Sequence, residues 1–253
     1  MKGLMSLYKK ELKEQLRTNR IIIVAGVFLF FGISLPLMTR YLPEILEMSG
    51  AIDVGSVLPP PTAIQSLAGY VSNMLQLGTL MIILVAMGAI AKERESGTAA
   101  LVLSKPVDYS AFVVAKFKAV GLTTLIGVIL GWLVCWGYTV ILFEETPALG
   151  FLYQNVLMLA YLSLAIAVTM LFSSFFRSQL AAGALGLVTI VVLSLASNLP
   201  WVGKYLPGEL ISWGNSLLMG ESADAAWWAV VVTIALIVFS LFLAWTILKR
   251  KEV

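Results

Sequence analysis

Long apolar runs alternate with short polar segments along the whole chain. A helix needs about 20 apolar residues to cross the hydrocarbon core of a bilayer. Six runs reach or approach that length: residues 21–39, 67–91, 119–143, 151–176, 180–199 and 225–248. The pattern predicts an all-α membrane protein in which residues 1–253 form one transmembrane domain of six helices.

The segment before the first span, residues 1–20, is amphipathic. Leu4, Tyr8, Leu12 and Leu16 recur every four residues, and six basic residues stand at other positions. This spacing predicts a helix at the membrane surface, which either works as a separate element on the cytoplasmic leaflet or only orients the first span. A cleaved signal peptide is disfavoured, because the basic region is long and no small-residue cleavage site follows the apolar run.

The segment between the second and third spans, residues 92–118, is rich in charge. It opens with four consecutive charged residues, Lys92 and then the charged triplet Glu93, Arg94 and Glu95. Charged side chains cost about 2.5–3.5 kcal/mol each at mid-bilayer, so the second span should leave the membrane there. Gly97 permits a sharp turn, Thr98 can cap a new helix, and Pro106 disfavours helix at the residue before it. We expect a short helix lying across the ends of two spans.

Polar residues form a stripe on the second span. Asn73 and Gln76 share one helical face with Gly69, in the half of the span that is nearer the outer side. Amides surrounded by hydrocarbon need hydrogen-bond partners. The stripe therefore predicts either hydrogen bonds between helices or residues that line a translocation path.

Small residues form a stripe on the third span. Thr123, Gly127, Gly131 and Cys135 recur every four residues. Small side chains let another helix backbone approach closely, so this face predicts helix packing, either within the chain or against a second copy. Cys135 is the single cysteine, and its apolar surroundings favour a small packing residue.

Two outer segments differ from ordinary loops. Residues 40–66 contain three consecutive prolines and predict an acidic, partly extended outer loop. Residues 198–224 contain prolines and glycines but remain partly apolar and aromatic. Such a composition predicts a hairpin on the outer side, which is either re-entrant or lies along the membrane surface.

The distribution of charge predicts the orientation. With six spans, 15 of the 17 Lys and Arg residues fall in segments on the same side as the termini, and only Arg40 and Lys204 fall on the other side. Basic residues concentrate in cytoplasmic loops, so both termini should be cytoplasmic. The composition, 60% hydrophobic and 12% charged, disfavours a soluble domain. The sequence has no stripe of basic residues interleaved with aromatic ones, so we do not expect nucleic-acid binding.

Several kinds of chemistry are absent from the sequence. There is no histidine, so histidine-based metal or catalytic sites are excluded. No phosphate-binding loop occurs, since Gly203-Lys204 is followed by Tyr205, and the chain cannot supply its own ATPase. No ionisable residue lies in the centre of a predicted span, which disfavours a proton- or sodium-coupled carrier. We expect a non-catalytic chain without cofactor or metal, driven by a partner.

The charged segment resembles a known family. The run ERESGT at residues 93–98, the run LVLSKPV at residues 101–107 and the pair KF at residues 116–117 are similar to the first cytoplasmic loop of type-2 permeases of ATP-binding-cassette (ABC) transporters. The resemblance departs from the usual family pattern at Ala99-Ala100 and Asp108-Tyr109. It is sharpest over residues 91–118, and the spacing of the spans extends it to the whole chain.

The resemblance implies a bacterial half-size permease in the inner membrane. Residues 1–20 would be its elbow helix, and the loop would carry a coupling helix docked on a separate ABC ATPase, which binds ATP and Mg. The implied docking residues are Glu93, Arg94, Glu95, Gly97, Thr98, Leu101, Val102 and Leu103. The charged triplet would pair with the ATPase or with Lys9, Lys10 and Lys13 of the elbow helix, or form only a solvated helix end.

Three functions compete for such a chain. The first is ATP-driven export by two permeases, which are identical or homologous, and two ATPases. The second is a membrane anchor or sensor that recruits an ATPase for signalling or for protein or metal-centre maturation. The third is a passive channel. The weakly polar interior suits lipid-like molecules, hydrophobic drugs or antimicrobial peptides, although relatives of this length also serve ions and metal-centre assembly.

Overall fold

The computed structural model describes residues 3–48, 60–98, 107–143, 146–221 and 224–250, and these residues are almost entirely helical. The predicted elbow helix, α1, covers Leu4–Arg17, and the first span α2 covers Arg20–Met48. The second span consists of α3 (Ala63–Asn73), a π-helical turn (Met74–Gly78) and α4 (Thr79–Glu95). The following spans are α5 (Tyr109–Leu142), α6 (Ala148–Phe175) and α7 (Gln179–Ala196). The outer hairpin contains a 3-10 turn (Gly203–Tyr205) and α8 (Glu209–Met219), and the sixth span α9 covers Trp227–Arg250.

Six helical segments of the described chain are long and apolar enough to cross a membrane. The prediction of an all-α protein with six spans is therefore confirmed. The second and fourth spans lie at the centre of the bundle, where Tyr70, Met74, Phe151 and Met158 are fully buried. The other four spans surround them and leave many large apolar side chains exposed on the outside. That surface suits lipid, since exposed apolar patches of this extent are unusual on soluble monomers.

The first span is longer than predicted. Helix α2 continues to Met48, so residues 40–48, which we assigned to the outer loop, are helical. Arg40 and Glu44 lie one turn apart with 3.6 Å between Nη1 and Oε1, and such a pair stabilises an exposed helix end. The helix tolerates Pro36 and Pro43 within this length. Residues 49–59, with one of the three consecutive prolines, lie outside the described residues.

The second span begins earlier than predicted, at Ala63. Thr62 caps it: its hydroxyl accepts a hydrogen bond from the Gln65 backbone, and the Gln65 side chain accepts one from the Thr62 backbone, both at 3.2 Å. This reciprocal capping box was readable in the sequence as Thr-x-x-Gln before an apolar run. The π-helical turn that follows has no comparable signal.

The outer hairpin packs on the bundle through α8. Leu210, Gly214 and Leu218 form its buried face, and the Gln154 amide on α6 donates to Asn215 at 3.1 Å. Gly214 lies directly against Gln154, and Gly150 on α6 lies directly against the Leu217 carbonyl. The glycines therefore let α6 and α8 approach each other closely. The described part of the hairpin packs against the bundle through α8.

Candidate functional site

Four charged side chains meet at the base of the 92–118 loop. Lys116 Nζ on α5 lies 3.1 Å from both oxygens of Glu11 on α1 and 3.1 Å from Glu93 Oε1 on α4. Lys10 Nζ lies 2.6 Å from the same Glu93 oxygen and 3.3 Å from Glu11 Oε1. We call Lys10, Glu11, Glu93 and Lys116 the cytoplasmic charge network. It connects the elbow helix to the helices on both sides of the loop.

Most of this network is closed to solvent. The side chains of Lys116, Glu11 and Glu93 are 3%, 8% and 11% exposed. Buried charges persist only where opposite charges and hydrogen bonds replace water. Burial alone would lower the pKa of Lys10, but its hydrogen bond to Glu93 and the nearby carboxylate charges outweigh burial and raise that pKa. The network therefore joins three helices through opposite charges that face one another.

The elbow helix contacts the bundle with a face that we did not predict. Its buried residues are Leu7, Glu11 and Gln15, whereas Leu16 of the predicted apolar stripe is 58% exposed. Lys116 explains the difference, because only a carboxylate can compensate its buried charge. The apolar stripe lies beside the bundle-facing side of α1 and remains partly free to contact lipid.

The other two residues of the charged triplet contact the fourth and fifth spans. Arg94 donates a hydrogen bond from Nη1 to the Ser174 carbonyl at the end of α6. Glu95 accepts one from the Gln179 side chain at the start of α7, at 3.2 Å. Within the described residues the triplet therefore connects the end of α4 to four other helices. Its interpretation as only a solvated helix end is wrong for Glu93, which is buried.

A serine hydroxyl joins the same region from inside the bundle. Ser173 Oγ on α6 accepts hydrogen bonds from the backbone N–H groups of Ile90 and Ala91, at 3.1 and 2.9 Å. The hydroxyl also donates to the Met87 carbonyl at 2.8 Å. A side chain inserted into a backbone hydrogen-bond ladder fixes the local path of a helix. Ser173 therefore holds the last turns of α4 against α6.

The predicted turn after the charged triplet is present in the described residues. Gly97 has a φ of +71°, in the left-handed region that favours glycine. Thr98 Oγ1 lies 2.8 Å from Ser96 Oγ and donates to the Glu93 carbonyl at 3.3 Å. Leu101, Val102 and Leu103, the predicted apolar docking residues, lie outside the described residues, as does the predicted coupling helix.

The polar stripe of the second span divides into two environments. Asn73 is half-buried, and its amide donates to the Gly69 carbonyl of its own helix at 2.9 Å. Gln76 is exposed and lines a cavity of about 300 Å³ between the second, fourth and fifth spans and α8. The polar residues around the cavity are Gln76, Tyr161, Ser194, Ser197, Asn198, Ser212 and Asn215. Gln76 is thus the member of the stripe with access to a possible path.

The small-residue stripe of the third span packs within the chain. A Cβ on Gly127 would lie 2.9 Å from Val24 Cγ1, and a Cβ on Gly131 would lie 3.1 Å from the Phe28 carbonyl oxygen. Both contacts are with α2. Thr123 is buried and donates to the Ala119 carbonyl of its own helix at 3.1 Å. Cys135 is buried in the same core, as expected of a packing residue.

Glu11, Lys116 and Ser173 were missed as site residues. Glu11 is an acid within a basic segment, and Lys116 belongs to the pair that carried part of the family resemblance. Both signals were available, but neither shows that the two residues meet across 105 positions of sequence. Ser173 has no distinguishing sequence pattern.

The amino-acid sequence is similar to known proteins over nearly its full length. The family profile described as "ABC-2 family transporter protein" matches residues 5–253. The chain is also 27% identical, over 250 residues, to the uncharacterized transmembrane protein YxlG of Bacillus subtilis (strain 168). That alignment covers 97% of each of the two chains. The similarity therefore includes the elbow helix, all six spans and the loop between the second and third.

Proposed function

The chain belongs to the ABC-2 family of transporter membrane proteins, and from this premise we propose that it is the permease subunit of an ATP-driven exporter. It would form the translocation path with a second permease copy or homologue in a bacterial inner membrane. A separate ABC ATPase, with its ATP and Mg, would supply the energy. The observation that carries the proposal is the connection of the loop base to four other helices.

The contacts at the end of α4 support this role. A force applied to the loop would act on α1 and α5 through the cytoplasmic charge network. It would act on α6 through Arg94 and Ser173 and on α7 through Glu95. Packed helices move as rigid elements when one of them is displaced. We infer that Leu101, Val102 and Leu103 contact the ATPase, while the charged triplet transmits the movement inward.

The docking assignment is tested by replacing Leu101 and Leu103 with Asp. Two carboxylates in an apolar contact would lose ATPase association, whereas membrane insertion should remain normal because the loop lies outside the bilayer. The measurements are co-purification with the ABC ATPase that associates with the wild-type chain and ATP-dependent export from vesicles. A matched control replaces Val202 and Tyr205 of the outer hairpin, which are both exposed, with Asp.

The outcomes separate the competing functions. Normal assembly and export by the loop variant would contradict the docking assignment. Assembly of the wild-type complex without movement of any solute in an export screen would favour the ATPase-recruiting anchor. Solute flux without nucleotide would favour a channel.

A further inference from the structure

A groove rich in basic residues lies between the elbow helix and the cytoplasmic end of α4. It has a volume of about 640 Å³. Its lining residues are Lys10, Lys13, Glu14, Arg17, Thr18 and Lys92. We call this the basic groove. It lies beside the cytoplasmic charge network but offers its charges to solvent.

The basic groove has an excess of uncompensated positive charge. Lys10 is already paired with Glu93 and Glu11. Lys13, Arg17 and Lys92 are exposed, and none of them forms an ion pair in the part of the chain that the structure describes. Glu14 is the single acidic residue of the lining. Three free cations against one carboxylate favour an anionic ligand, and Arg17 can bind a phosphate with two parallel hydrogen bonds.

Exposed apolar residues next to the groove residues in sequence indicate which kind of anion would bind there. Leu16 precedes Arg17 and is 58% exposed, and Ile22 and Ile23 at the start of the first span are 65% and 50% exposed. The lining residues Arg17 and Thr18 immediately precede the first span, which begins at Arg20, so the groove is next to the predicted point of membrane entry. An anion with an apolar tail would satisfy both surfaces, whereas an acidic protein surface would leave these apolar side chains uncovered.

We propose that the basic groove binds the phosphate of an anionic phospholipid in the cytoplasmic leaflet. This placement rests on the orientation that the charge distribution predicts, with both termini cytoplasmic. The headgroup phosphate lies among Lys13, Arg17 and Lys92. The acyl chains follow Leu16, Ile22 and Ile23 along the first span. Bound lipid would then contact α1 and α4 together, beside the charge network that connects them.

The test compares lipid retention by the purified full-length chain and two variants. The groove variant carries Lys13→Gln, Arg17→Gln and Lys92→Gln. The control variant carries Lys9→Gln, Lys118→Gln and Lys249→Gln, which remove the same charge from exposed cytoplasmic positions outside the groove. Each protein is reconstituted in phosphatidylcholine vesicles with a minor fraction of phosphatidylglycerol, and the phosphatidylglycerol retained per chain is measured by native mass spectrometry.

We expect the groove variant to retain about a hundredfold less phosphatidylglycerol than the control, since each of the three replaced basic residues contributes about fivefold to binding near an anionic surface. A charge-preserving variant, Lys13→Arg with Arg17→Lys and Lys92→Arg, should retain the lipid. Equal retention by the groove and control variants would overturn the proposal, as would loss of lipid from the charge-preserving variant.

Two further results would assign the basic groove to another ligand. Competition by glycerol phosphate as effective as that by the lipid would show a site for soluble phosphate. Loss of ATPase co-purification with unchanged lipid retention would show an acidic protein surface instead. Either result overturns the lipid proposal and leaves the permease assignment intact.

Discussion

The charged side chain of Lys116 is almost completely buried. Its ammonium group contacts Glu11 and Glu93 and lies 4.9 Å from the centre of the Phe112 ring. Removing one partner from a buried ion pair leaves the other charge without water or a counter-ion, and this costs about 3–5 kcal/mol. The single side chain therefore decides whether two carboxylates can remain buried between three helices.

We predict that Lys116→Met destabilises the protein strongly and releases the elbow helix. Glu11 and Glu93 would repel each other, although Lys10 would still compensate part of their charge. The measurements are the thermal unfolding temperature in detergent and the protease sensitivity of residues 4–17. Lys118→Met, two positions away at an exposed site, is the matched control and should behave as wild type.

A second variant separates charge from packing at Lys116. Adding Glu11→Gln to Lys116→Met removes the one negative charge that Lys10 alone cannot balance, so part of the lost stability should return. If the double variant is less stable than Lys116→Met alone, the buried network does not act through its charge balance.

Gln76 and Asn73 differ in what they contact, although the sequence places them on one stripe. Since Gln76 faces the polar cavity and Asn73 bonds its own helix, we predict that Gln76→Leu changes export rate or substrate preference severalfold. Gln76→Asn, which keeps an amide, should change export less. The measurement is ATP-dependent export from vesicles with each variant, and unchanged export by Gln76→Leu would remove Gln76 from the path.

The helices α2 and α5 meet along the small-residue stripe. A Cβ on Gly32 would lie 2.9 Å from the Gly131 carbonyl oxygen, so glycine is required on both helices where they cross. This pairing uses the stripe inside one chain. A second copy would therefore have to contact another surface of the bundle.

We predict that Gly131→Ala destabilises the protein, whereas Gly137→Ala on the same helix does not. Alanine favours helix over glycine by about 1 kcal/mol, and a Cβ on Gly137 meets no atom within 4 Å. At Gly131 the new methyl group would push against Phe28 and Tyr70, and overpacking costs about 1–3 kcal/mol. Thermal unfolding of both variants in detergent provides the comparison, and equal unfolding temperatures would contradict the close packing.

The second span contains two departures from a regular α-helix. One is the π-helical turn at Met74–Gly78, and the other is the insertion of Ser173 beside Met87. Both lie between the outer end of the span and the charged triplet. The span therefore differs from a uniform rod, and its last turns are positioned by α6 rather than by their own backbone bonds alone.

The molecule as a whole has a buried centre of two spans and four spans around it. With six spans, the charge network, the basic groove, the start of α1 and the end of α9 lie at one end of the bundle, while the cavity beside Gln76 and α8 lie toward the other. The proposed energy input and the proposed path are thus separated along the second span. Coupling between them can pass through the π-helical turn of that span, or through α6 and α7, which contact the charged triplet and line the cavity.

We predict that the end with the charge network faces the cytoplasm. In a Cys135→Ala background, a cysteine replacing Lys9 or Lys249 should react with a membrane-impermeant maleimide only after the membrane is permeabilised. A cysteine replacing Lys204 should react in intact cells, because this exposed residue lies in the outer hairpin. Labelling of the Lys9 or Lys249 position in intact cells would reverse the orientation.

Much of this architecture could be predicted because membrane burial acts on each segment separately. Apolar length predicts spans, and uncompensated charge predicts where they end. The errors lie at helix boundaries, as at residues 40–48, where an ion pair stabilises a helix end that hydropathy alone would exclude, and at Ala63, where the Thr62 cap starts a helix early. The side of α1 that faces the bundle was not predicted, since a buried carboxylate is predictable only once its partner Lys116 is known.

The sequence by itself determined the six spans, the expected orientation and the turn at Gly97, because each depends on residues close together in the chain. Only the tertiary structure decided which helices meet. The partners of Arg94 and Glu95 lie 80 or more positions away, and so does Lys10, one of the two partners of Glu93. A helical period shows that a face is small, polar or charged without showing what lies opposite. Contacts between distant segments depend on the packing of the whole bundle, and that packing brings Glu11 and Lys116 together.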